Sequence, residues 1–348
     1  MLSEIGSEFW EADIADKNKL VFESNYQFLL SGRTSIDFVI KDIKANKKIS
    51  TVYMPSYCCH TMIHPFIANG VDVKFYNVDL IDGIFSYDID FNTQCDVVLI
   101  MQYFGYQNDN VEQIIDRFKI KGKIIIEDAT HSWFSSKPYC LKSDYVIASF
   151  RKWTGIACGS IAIKRYSSFS IPVPVEQYKR YIETRQRAAN LKKIYMKNGI
   201  GEKDVFLNLF NEAENMLEKN YQLYSIPDDI IDILNKLNCN KIREKRKKNA
   251  KYLTDELSKI ENVKCISYSD NDTPLFVPIL ILDNNRNKLR QFLINNNIYC
   301  PVHWPLSNLH NIKNKSIYEN GLSLVCDQRY NVDDMKRIIT LINEFFGG

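Results

Sequence analysis

The predicted strand Asp144–Ser149 ends in a serine, and Lys152 comes three residues later. A lysine amine becomes nucleophilic at neutral pH when it is desolvated or held near other cations, and the neighbouring Arg151 is one such cation. The serine hydroxyl can bind a phosphate group. The segment therefore makes Lys152 a candidate for Schiff-base chemistry and Ser149 a candidate phosphate ligand, unless Lys152 is an ordinary surface lysine in a loop.

A second predicted strand, Lys123–Glu127, is followed directly by Asp128 and, three residues further on, by His131. A carboxylate in this place can pair with a protonated ring nitrogen, which keeps the ring cationic and lets it act as an electron sink. His131 could hydrogen-bond an oxygen of the same ring or Asp128 itself. The alternative is that Asp128 caps the next helix and that His131 is an ordinary polar neighbour.

Two further segments lie where a ligand of an open α/β sheet would bind. The turn that contains Gly32, Arg33 and Thr34 precedes a predicted helix, and backbone N–H groups and hydroxyls at a helix N-terminus form a phosphate site. In the loop Pro55–His60, an aromatic side chain could stack on a flat ring. A simple N-cap turn and core packing are the respective alternatives.

Short β-rich runs alternate with helical patterns over the first half of the chain. Several runs, such as VVLIM and KIIIE, are continuously apolar, which is typical of strands buried on both faces. The alternation predicts an α/β fold with a mostly parallel central sheet and helices on both faces. The predicted strands are Ser50–Met54, Val71–Val78, Asp96–Met101, Lys123–Glu127, Asp144–Ser149 and Gly159–Lys164, and the helices between them are Thr34–Ala45, Cys59–Asn69 and Asn110–Phe118.

The pattern changes in the second half, where long polar helical segments precede a second mixed section. That section contains a strand at Phe276–Leu282, a helix at Asn287–Asn296 and a closing helix at Asp333–Phe346. We therefore expect two domains. Residues 1–240 form a large domain that includes the N-terminal segment, and residues 241–348 form a smaller C-terminal α/β domain. The predicted helices before and across the boundary are Val175–Lys197, Asp204–Lys219, Pro227–Leu237 and Asn240–Ile260.

The composition excludes several classes of partner. The chain has 348 residues, of which 45% are hydrophobic and 25% charged, and its net charge of +3 is too small to indicate nucleic-acid binding. The nine cysteines are irregularly spaced without a CxxC pair, which disfavours a metal site and a disulfide framework. With no signal peptide and no apolar run long enough for a bilayer, we expect a cytoplasmic protein that binds neither membrane nor metal.

Taken in chain order, these segments resemble those of the DegT/DnrJ-type aminotransferases. This family comprises fold-type-I enzymes that use pyridoxal 5'-phosphate (PLP) to aminate nucleotide-linked keto-sugars. The resemblance covers nearly the whole chain. It rests on LLSGRTSIDF, VYMPSYCCHTMIHPFIANGVDVKFYNVD, VVLIMQYFGYQ, IIIEDATHS, YVIASFRKWTGIACGSIAIKR and, near the end, NNNIYCPVHWPLSNLH.

The resemblance implies a role for each candidate residue. Lys152 resembles the lysine that forms the Schiff base with PLP, Asp128 the partner of the pyridine nitrogen, and His131 the residue beside the phenolic oxygen. His303 resembles a substrate-side residue of the small domain. The residues that resemble the phosphate binders are Gly32, Arg33, Thr34 and Ser149.

Several positions depart from the family pattern. The serine and lysine are spaced S-x-x-K instead of S-x-x-x-x-K, a spacing common in other fold-type-I aminotransferases. The aromatic residue that stacks on the ring falls on Cys59, which has no π face, so that Tyr57 and His60 are both left as candidates. The family's Asn-Tyr-Arg signature is replaced by Leu223-Tyr224-Ser225, which bears on the sugar-nucleotide substrate more than on the cofactor. The chain is thus expected to be a divergent member.

The resemblance implies a PLP-dependent aminotransferase that takes an amino group from a donor such as glutamate and passes it to a nucleotide-linked keto-sugar. Surface-polysaccharide or secondary-metabolite biosynthesis is the expected setting, and a homodimer is implied. A PLP-dependent lyase or dehydratase acting on a sugar is one alternative, which Lys152 disfavours because some sugar dehydratases have histidine there. A non-catalytic PLP-fold ligand-binding protein is the other, which the intact Lys152–Asp128 pair disfavours.

Overall fold

The computed structural model describes residues 3–15, 25–304 and 315–347. The strands in these residues are β1 Ile5–Gly6, β2 Asn25–Leu29, β3 Thr51–Pro55, β4 Asp72–Ile81, β5 Ile84–Asp88, β6 Val97–Met101, β7 Ile124–Asp128, β8 Tyr145–Ser149, β9 Ser160–Lys164, β10 Val263–Cys265, β11 Val277–Ile281, β12 Ile298–Tyr299 and β13 Gly321–Leu324. The helices are α1 Gly32–Asn46, α2 His60–Ala68, α3 Asn110–Ile120, α4 Lys179–Asn198, α5 Lys203–Lys219, α6 Asp228–Asn235, α7 Cys239–Leu257, α8 Arg286–Asn295, α9 Ser316–Asn320 and α10 Val332–Phe346. A single 3₁₀ turn, Phe150–Lys152, follows β8.

The centre of the fold is an eight-stranded sheet with the strand order β2-β9-β8-β7-β6-β3-β4-β5. The five strands from β8 to β4 are parallel to one another, whereas β9, β2 and β5 are added by antiparallel pairing. Every residue of β6 is buried, as its continuous apolar sequence requires. The predicted α/β fold with a mostly parallel central sheet is therefore confirmed.

The sheet separates two hydrophobic layers. Tyr145 and Ile147 of β8 pack in one layer, together with side chains of α1 and α3. Val146 and Ala148 of the same strand pack in the other layer, together with side chains of α4, α5 and α6. Because successive side chains of a strand point to opposite faces, helices cover both faces of the sheet.

The C-terminal part of the chain contains a second, antiparallel sheet with the order β10-β11-β13. Helix α7 packs against this sheet and against α10. The N-terminal strand β1 pairs in parallel with β12, so that the beginning of the chain lies against its C-terminal part. The division of the chain between residues 240 and 241 stays a prediction.

The described residues include no helix that combines the length and the apolar character needed to cross a membrane. No group of histidine, cysteine or acidic side chains in the same residues has an arrangement that could hold a metal ion. All nine cysteines are free thiols.

Candidate active site

Two parallel strands end side by side and carry the main candidates. β7 ends at Asp128 and β8 ends at Ser149, and the register pairs Asp128 with Ile147. One 3₁₀ turn after Ser149 brings Lys152, with an exposed side chain, to the same edge of the sheet. The charge of Lys152 acts on the Asp128 carboxyl group, in keeping with the positions of the two residues at the ends of neighbouring strands.

The Asp128 carboxyl group is enclosed by protein, since only 5% of the residue is exposed. Its Oδ1 accepts the backbone N–H of Thr130 at 2.8 Å. Burial raises the pKa of Asp128, while hydrogen bonds from Thr130 and the charge of Lys152 oppose the rise. A cationic ring nitrogen held against this carboxylate would stabilise its ionised form.

Thr130 links the ends of the two strands, and the sequence did not point to it. Its backbone N–H binds Asp128, and its Oγ1 accepts the backbone N–H of Ser149 at 3.1 Å. Its carbonyl accepts the indole N–H of Trp153 at 2.6 Å. The segments that contain Asp128, Ser149 and Lys152 are therefore joined through one residue.

The His131 side chain is neutral and stacked. Its Nδ1 accepts the backbone N–H of Phe104 at 3.2 Å, and its ring stacks on those of Phe104 and Trp304, with centroids 4.9 and 5.8 Å apart. Burial lowers the pKa of His131 well below its usual value, and positive charge at the neighbouring His303 or Lys152 acts in the same direction. A neutral imidazole that accepts a hydrogen bond at Nδ1 carries its proton on Nε2, so this side chain can donate one hydrogen bond.

His303 lies in the same neighbourhood, although it is far away in sequence. Its Nδ1 lies 2.9 Å from the Ser323 hydroxyl, and its ring packs on Phe104 and Phe276. Burial lowers the pKa of His303 to about 3, and the charge of Lys152 acts in the same direction. The structure thus brings His303 near Lys152, while residues 305–310 of the same segment lie outside the described residues.

The two segments predicted to share a phosphate group lie side by side. A Cβ atom built on Gly32 would lie 3.3 Å from Cβ of Ser149 and 4.0 Å from its Oγ. Ser31 caps α1 by accepting the N–H of Thr34 at 3.2 Å, and the preceding N–H groups have no partner within the helix. A glycine here lets the N-terminus of α1 come close to the Ser149 hydroxyl.

Thr34 and Arg33 each donate a hydrogen bond to a backbone carbonyl in or after α5. The Thr34 hydroxyl is fully buried and donates to the carbonyl of Tyr221 at 2.7 Å. Arg33 Nη1 donates to the carbonyl of Leu217 at 3.2 Å, and the guanidinium lies 5.4 Å from the Tyr221 ring centroid. Both side chains thereby hold the end of α5 and the residues after it against α1, and direct contact of either side chain with a phosphate stays a prediction.

The two residues left open for ring stacking lie in different surroundings. Tyr57 is buried, donates its hydroxyl to the carbonyl of His303 at 2.5 Å, and packs edge-on against Trp304 and Tyr318. His60 is the first residue of α2, has a 70% exposed side chain and lies 3.3 Å from Glu218. Tyr57 is therefore a packing residue between the loop after β3 and the C-terminal part.

Charged side chains form one wall near Lys152. Arg151 pairs with Glu214. Arg185 forms two ion pairs, one with Glu214 at 2.7 Å and one with Glu8 at 2.6 Å. Burial acts to raise the pKa of Glu8, but nearby cations, first Arg185, outweigh it and lower the pKa to about 2. Arg151 and Arg185 therefore share the Glu214 carboxylate, so the charge that was expected to act on Lys152 is itself paired with an acidic side chain.

Comparison with known proteins supports the fold. No family model matches the chain, and no curated protein matches it in sequence. Among solved structures, Helicobacter pylori PseC, an aminotransferase involved in the biosynthesis of pseudoaminic acid, has a TM-score of 0.67 at 14% identity, over 98% of this chain and 99% of that chain. S. venezuelae DesV in complex with a ketimine intermediate has a TM-score of 0.65 at 12% identity, over 96% and 92%.

A structure named for a different reaction has the same fold. The E. coli GDP-4-keto-6-deoxy-D-mannose-3-dehydratase with bound hydrated PLP has a TM-score of 0.64 at 17% identity, over 92% of this chain and 88% of that chain. Identities this low establish the fold alone. The reaction therefore has to be argued from the residues at the ends of β7 and β8.

Proposed function

We propose that the chain is a PLP-dependent aminotransferase of the DegT/DnrJ type. The observation that carries the proposal is that Asp128 and the turn with Lys152 follow the neighbouring strands β7 and β8, at the place where Gly32 approaches Ser149. These residues fit PLP, since they offer a carboxylate for a ring nitrogen, an amine for a carbonyl and a helix N-terminus for a phosphate.

Each residue has a separate task in this proposal. PLP, when bound, supplies an electron sink for the reacting bond of the substrate. Ser149 and the first N–H groups of α1 hold the phosphate, and the buried Asp128 carboxylate keeps the ring nitrogen protonated. His131 donates from Nε2 to the ring oxygen, because its Nδ1 already accepts the N–H of Phe104.

Lys152 both attaches the cofactor and moves a proton at the substrate carbon as a general acid and base. Its exposed amine lies near two neutral imidazoles, those of His131 and His303, and near the Asp128 carboxylate. His303 is our candidate for the substrate side. Because its pKa is lowered to about 3, it contacts substrate as a neutral hydrogen-bonding group and not as a cation.

The proposed acceptor is a nucleotide-linked keto-sugar, the donor is an amino acid such as glutamate, and the setting is surface-polysaccharide or secondary-metabolite biosynthesis. Sugar aminotransferases among the structures of the same fold support the substrate class. Tyr224, at the position of the family's Asn-Tyr-Arg signature, is buried and stacks on Tyr178 at 5.1 Å. We infer that other residues recognise the nucleotide, and we further propose a cytoplasmic homodimer.

The attachment of PLP gives the first test. Purified protein is loaded with PLP, reduced with borohydride, digested and mapped, and we expect the pyridoxyl group on Lys152. The matched variant Lys152→Ala should carry no covalent label and transfer no amino group. A label on another lysine would contradict the assignment.

The reaction gives the second test. The loaded protein is incubated with nitrogen-labelled glutamate and a panel of nucleotide-linked keto-sugars, and mass spectrometry follows the nitrogen. We expect labelled amino-sugar. Loss of water from the sugar without nitrogen transfer would favour the dehydratase alternative, and a bound but unchanged sugar would favour a ligand-binding protein.

A further inference from the structure

The residue after Lys152 is one of the most enclosed in the chain. Trp153 has no exposed surface, its indole N–H donates to the Thr130 carbonyl at 2.6 Å, and its ring packs edge-on against Phe134 at 4.9 Å. Its backbone N–H closes the 3₁₀ turn onto the carbonyl of Phe150 at 2.9 Å. Contacts that fix Trp153 in place therefore also fix the neighbouring backbone of Lys152.

Two side chains from the C-terminal part of the chain hold Trp153 in place. Gln328 donates its amide N–H to the Trp153 carbonyl at 2.7 Å. The Arg246 guanidinium lies 4.6 Å from the Trp153 ring centroid, and its Nε donates to Gln328 Oε1 at 2.8 Å. Arg246 is 1% exposed and Gln328 is 4% exposed, so both hydrogen bonds are shielded from water.

Arg246 is a buried cation held by neutral acceptors. Its Nη1 donates to the carbonyls of Pro274 and Leu275 at 3.2 and 2.9 Å, and within the described residues no carboxylate forms an ion pair with it. The nearby Asp327 is paired with Arg329 at 2.7 Å. The charge of Asp327 acts on Arg246 without an ion pair between them; burying a charge in this way is costly, and an apolar side chain could fill the same space. An apolar side chain could not form the directional contacts that Arg246 makes with Gln328 and Trp153.

We infer that Arg246 and Gln328 are positioning residues for Lys152, which they place relative to Asp128 by holding Trp153. Neither forms a hydrogen bond with Lys152 or Asp128, so both act through Trp153. The inference rests on the proposed function of Lys152. It adds that the C-terminal part of the chain, which provides both residues, sets the geometry of the candidate lysine.

Three variants test the inference. Gln328→Glu keeps an acceptor for Arg246 but replaces the N–H donor that faces the Trp153 carbonyl with an acceptor. Arg246→Met keeps the apolar volume and removes the charge and its donors. The control is Lys247→Met on the same helix, whose amine donates to the Asp270 carbonyl at the surface.

Two rates are measured for each variant. One is the rate of covalent attachment of PLP to Lys152, followed by visible absorbance and borohydride trapping. The other needs no cofactor: trinitrobenzenesulfonate labels the cofactor-free protein, and peptide mapping gives the labelling rate of Lys152. We expect Gln328→Glu and Arg246→Met to slow attachment by roughly tenfold or more, because small misplacements of a reacting group have effects of that order. The labelling rate of Lys152 in these two variants should differ several-fold from that in Lys247→Met, while the circular dichroism spectra stay unchanged.

The outcomes separate this inference from the proposed function. If both variants fold and match Lys247→Met in both rates, the positioning role is overturned. If Arg246→Met fails to fold, Gln328→Glu decides. If the unaltered protein attaches no PLP at all, the proposed function fails, and the labelling rate of Lys152 still decides whether Arg246 and Gln328 position it.

Discussion

The polar side chains of the candidate site differ in whether their donors and acceptors already have hydrogen-bond partners in the protein. The Thr34 hydroxyl donates to the Tyr221 carbonyl, and Nδ1 of His131 accepts the N–H of Phe104. The Ser149 hydroxyl forms no hydrogen bond within the described part of the chain and lies beside the N-terminus of α1. Ser149 is therefore the better candidate for a phosphate ligand of the two hydroxyl residues, a ranking that depends on partners far away in sequence.

Asp128→Asn tests the electron-sink role. The two side chains are nearly isosteric, so the fold should be kept, but an amide does not stabilise a protonated ring nitrogen. We expect kcat for amino transfer to fall by roughly 10²-fold or more, as for other lost electrostatic partners of a reacting group. Asp116→Asn on α3, whose carboxylate pairs with Lys142 at the surface, is the control. Near-normal kcat in Asp128→Asn would make Asp128 a structural cap.

Glu127, whose side chain points to the opposite face of β7 from that of Asp128, predicts a pH dependence of stability. Burial raises the pKa of Glu127 to about 7 from 4.5, although its Oε2 accepts hydrogen bonds from Ser143 and Cys140. Between these values the folded protein binds more protons than the unfolded chain. The contribution of Glu127 to stability is therefore fully present below pH 4.5 and is lost as the pH rises through about 7.

Glu127→Gln should remove this pH dependence. We expect the variant to be more stable than the parent above pH 7, by up to roughly 3 kcal/mol in the free energy of unfolding, and similar to it near pH 4.5. Urea denaturation of both proteins at the two pH values measures the difference. Parallel pH profiles of parent and variant would show that Glu127 ionises normally in the folded protein.

Among the elements, the proposed phosphate site depends on the close approach of α1 to the end of β8. Ser149→Ala removes a hydroxyl, and Gly32→Ala places a methyl group 3.3 Å from Cβ of Ser149. A hydrogen bond to a charged group contributes about 1.5–3 kcal/mol, so its loss in Ser149→Ala should weaken PLP binding by about tenfold or more. Gly32→Ala should weaken binding to a similar extent, because the added methyl group pushes the N-terminus of α1 away from Ser149. Equilibrium dialysis measures the Kd, with exposed Ser136→Ala as the control. Unchanged binding in both variants would exclude a phosphate site at this place.

The predicted elements agree with the observed ones where the sequence is continuously apolar or strongly periodic. β6, β7 and β8 begin and end within one residue of their predicted bounds. The edge strands β2 and β5 were not predicted, because an edge strand is half exposed and its sequence, NYQFL or IFSYD, mixes polar and apolar residues. Tertiary pairing with β9 and β4 makes them strands.

At the scale of the whole molecule, the N-terminal segment ties distant parts together. β1 pairs with β12, Glu8 pairs with Arg185 of α4 at 2.6 Å, and the carbonyl of Glu11 accepts the N–H of Gly155 at 3.1 Å. The segment thus contacts the C-terminal part, the helical layer and the loop after Lys152. Its removal is expected to loosen all three.

Glu8→Gln tests this tie. The folded pKa of Glu8 is lowered to about 2, so its contribution to stability is fully present above its ordinary pKa of 4.5 and is lost as the pH falls toward 2. We expect the variant to unfold at lower urea concentration than the parent at pH 7, and the difference to shrink as the pH falls below 4.5. Exposed Glu261→Gln is the control. A difference that does not depend on pH would mean that the ion pair is not its source.

The sequence by itself determined the α/β class, the order of the strand-end segments and the candidacy of Asp128 and Lys152. Apolar runs and residue spacing are local properties, and the ends of parallel strands meet at one edge whatever the details. Only the tertiary structure decided which hydroxyls have partners, which aromatic rings are packed away and which side chains contact Trp153 beside Lys152. Gln328 and Trp153 are 175 residues apart, and a hydrogen bond across that separation leaves no local pattern to be recognised.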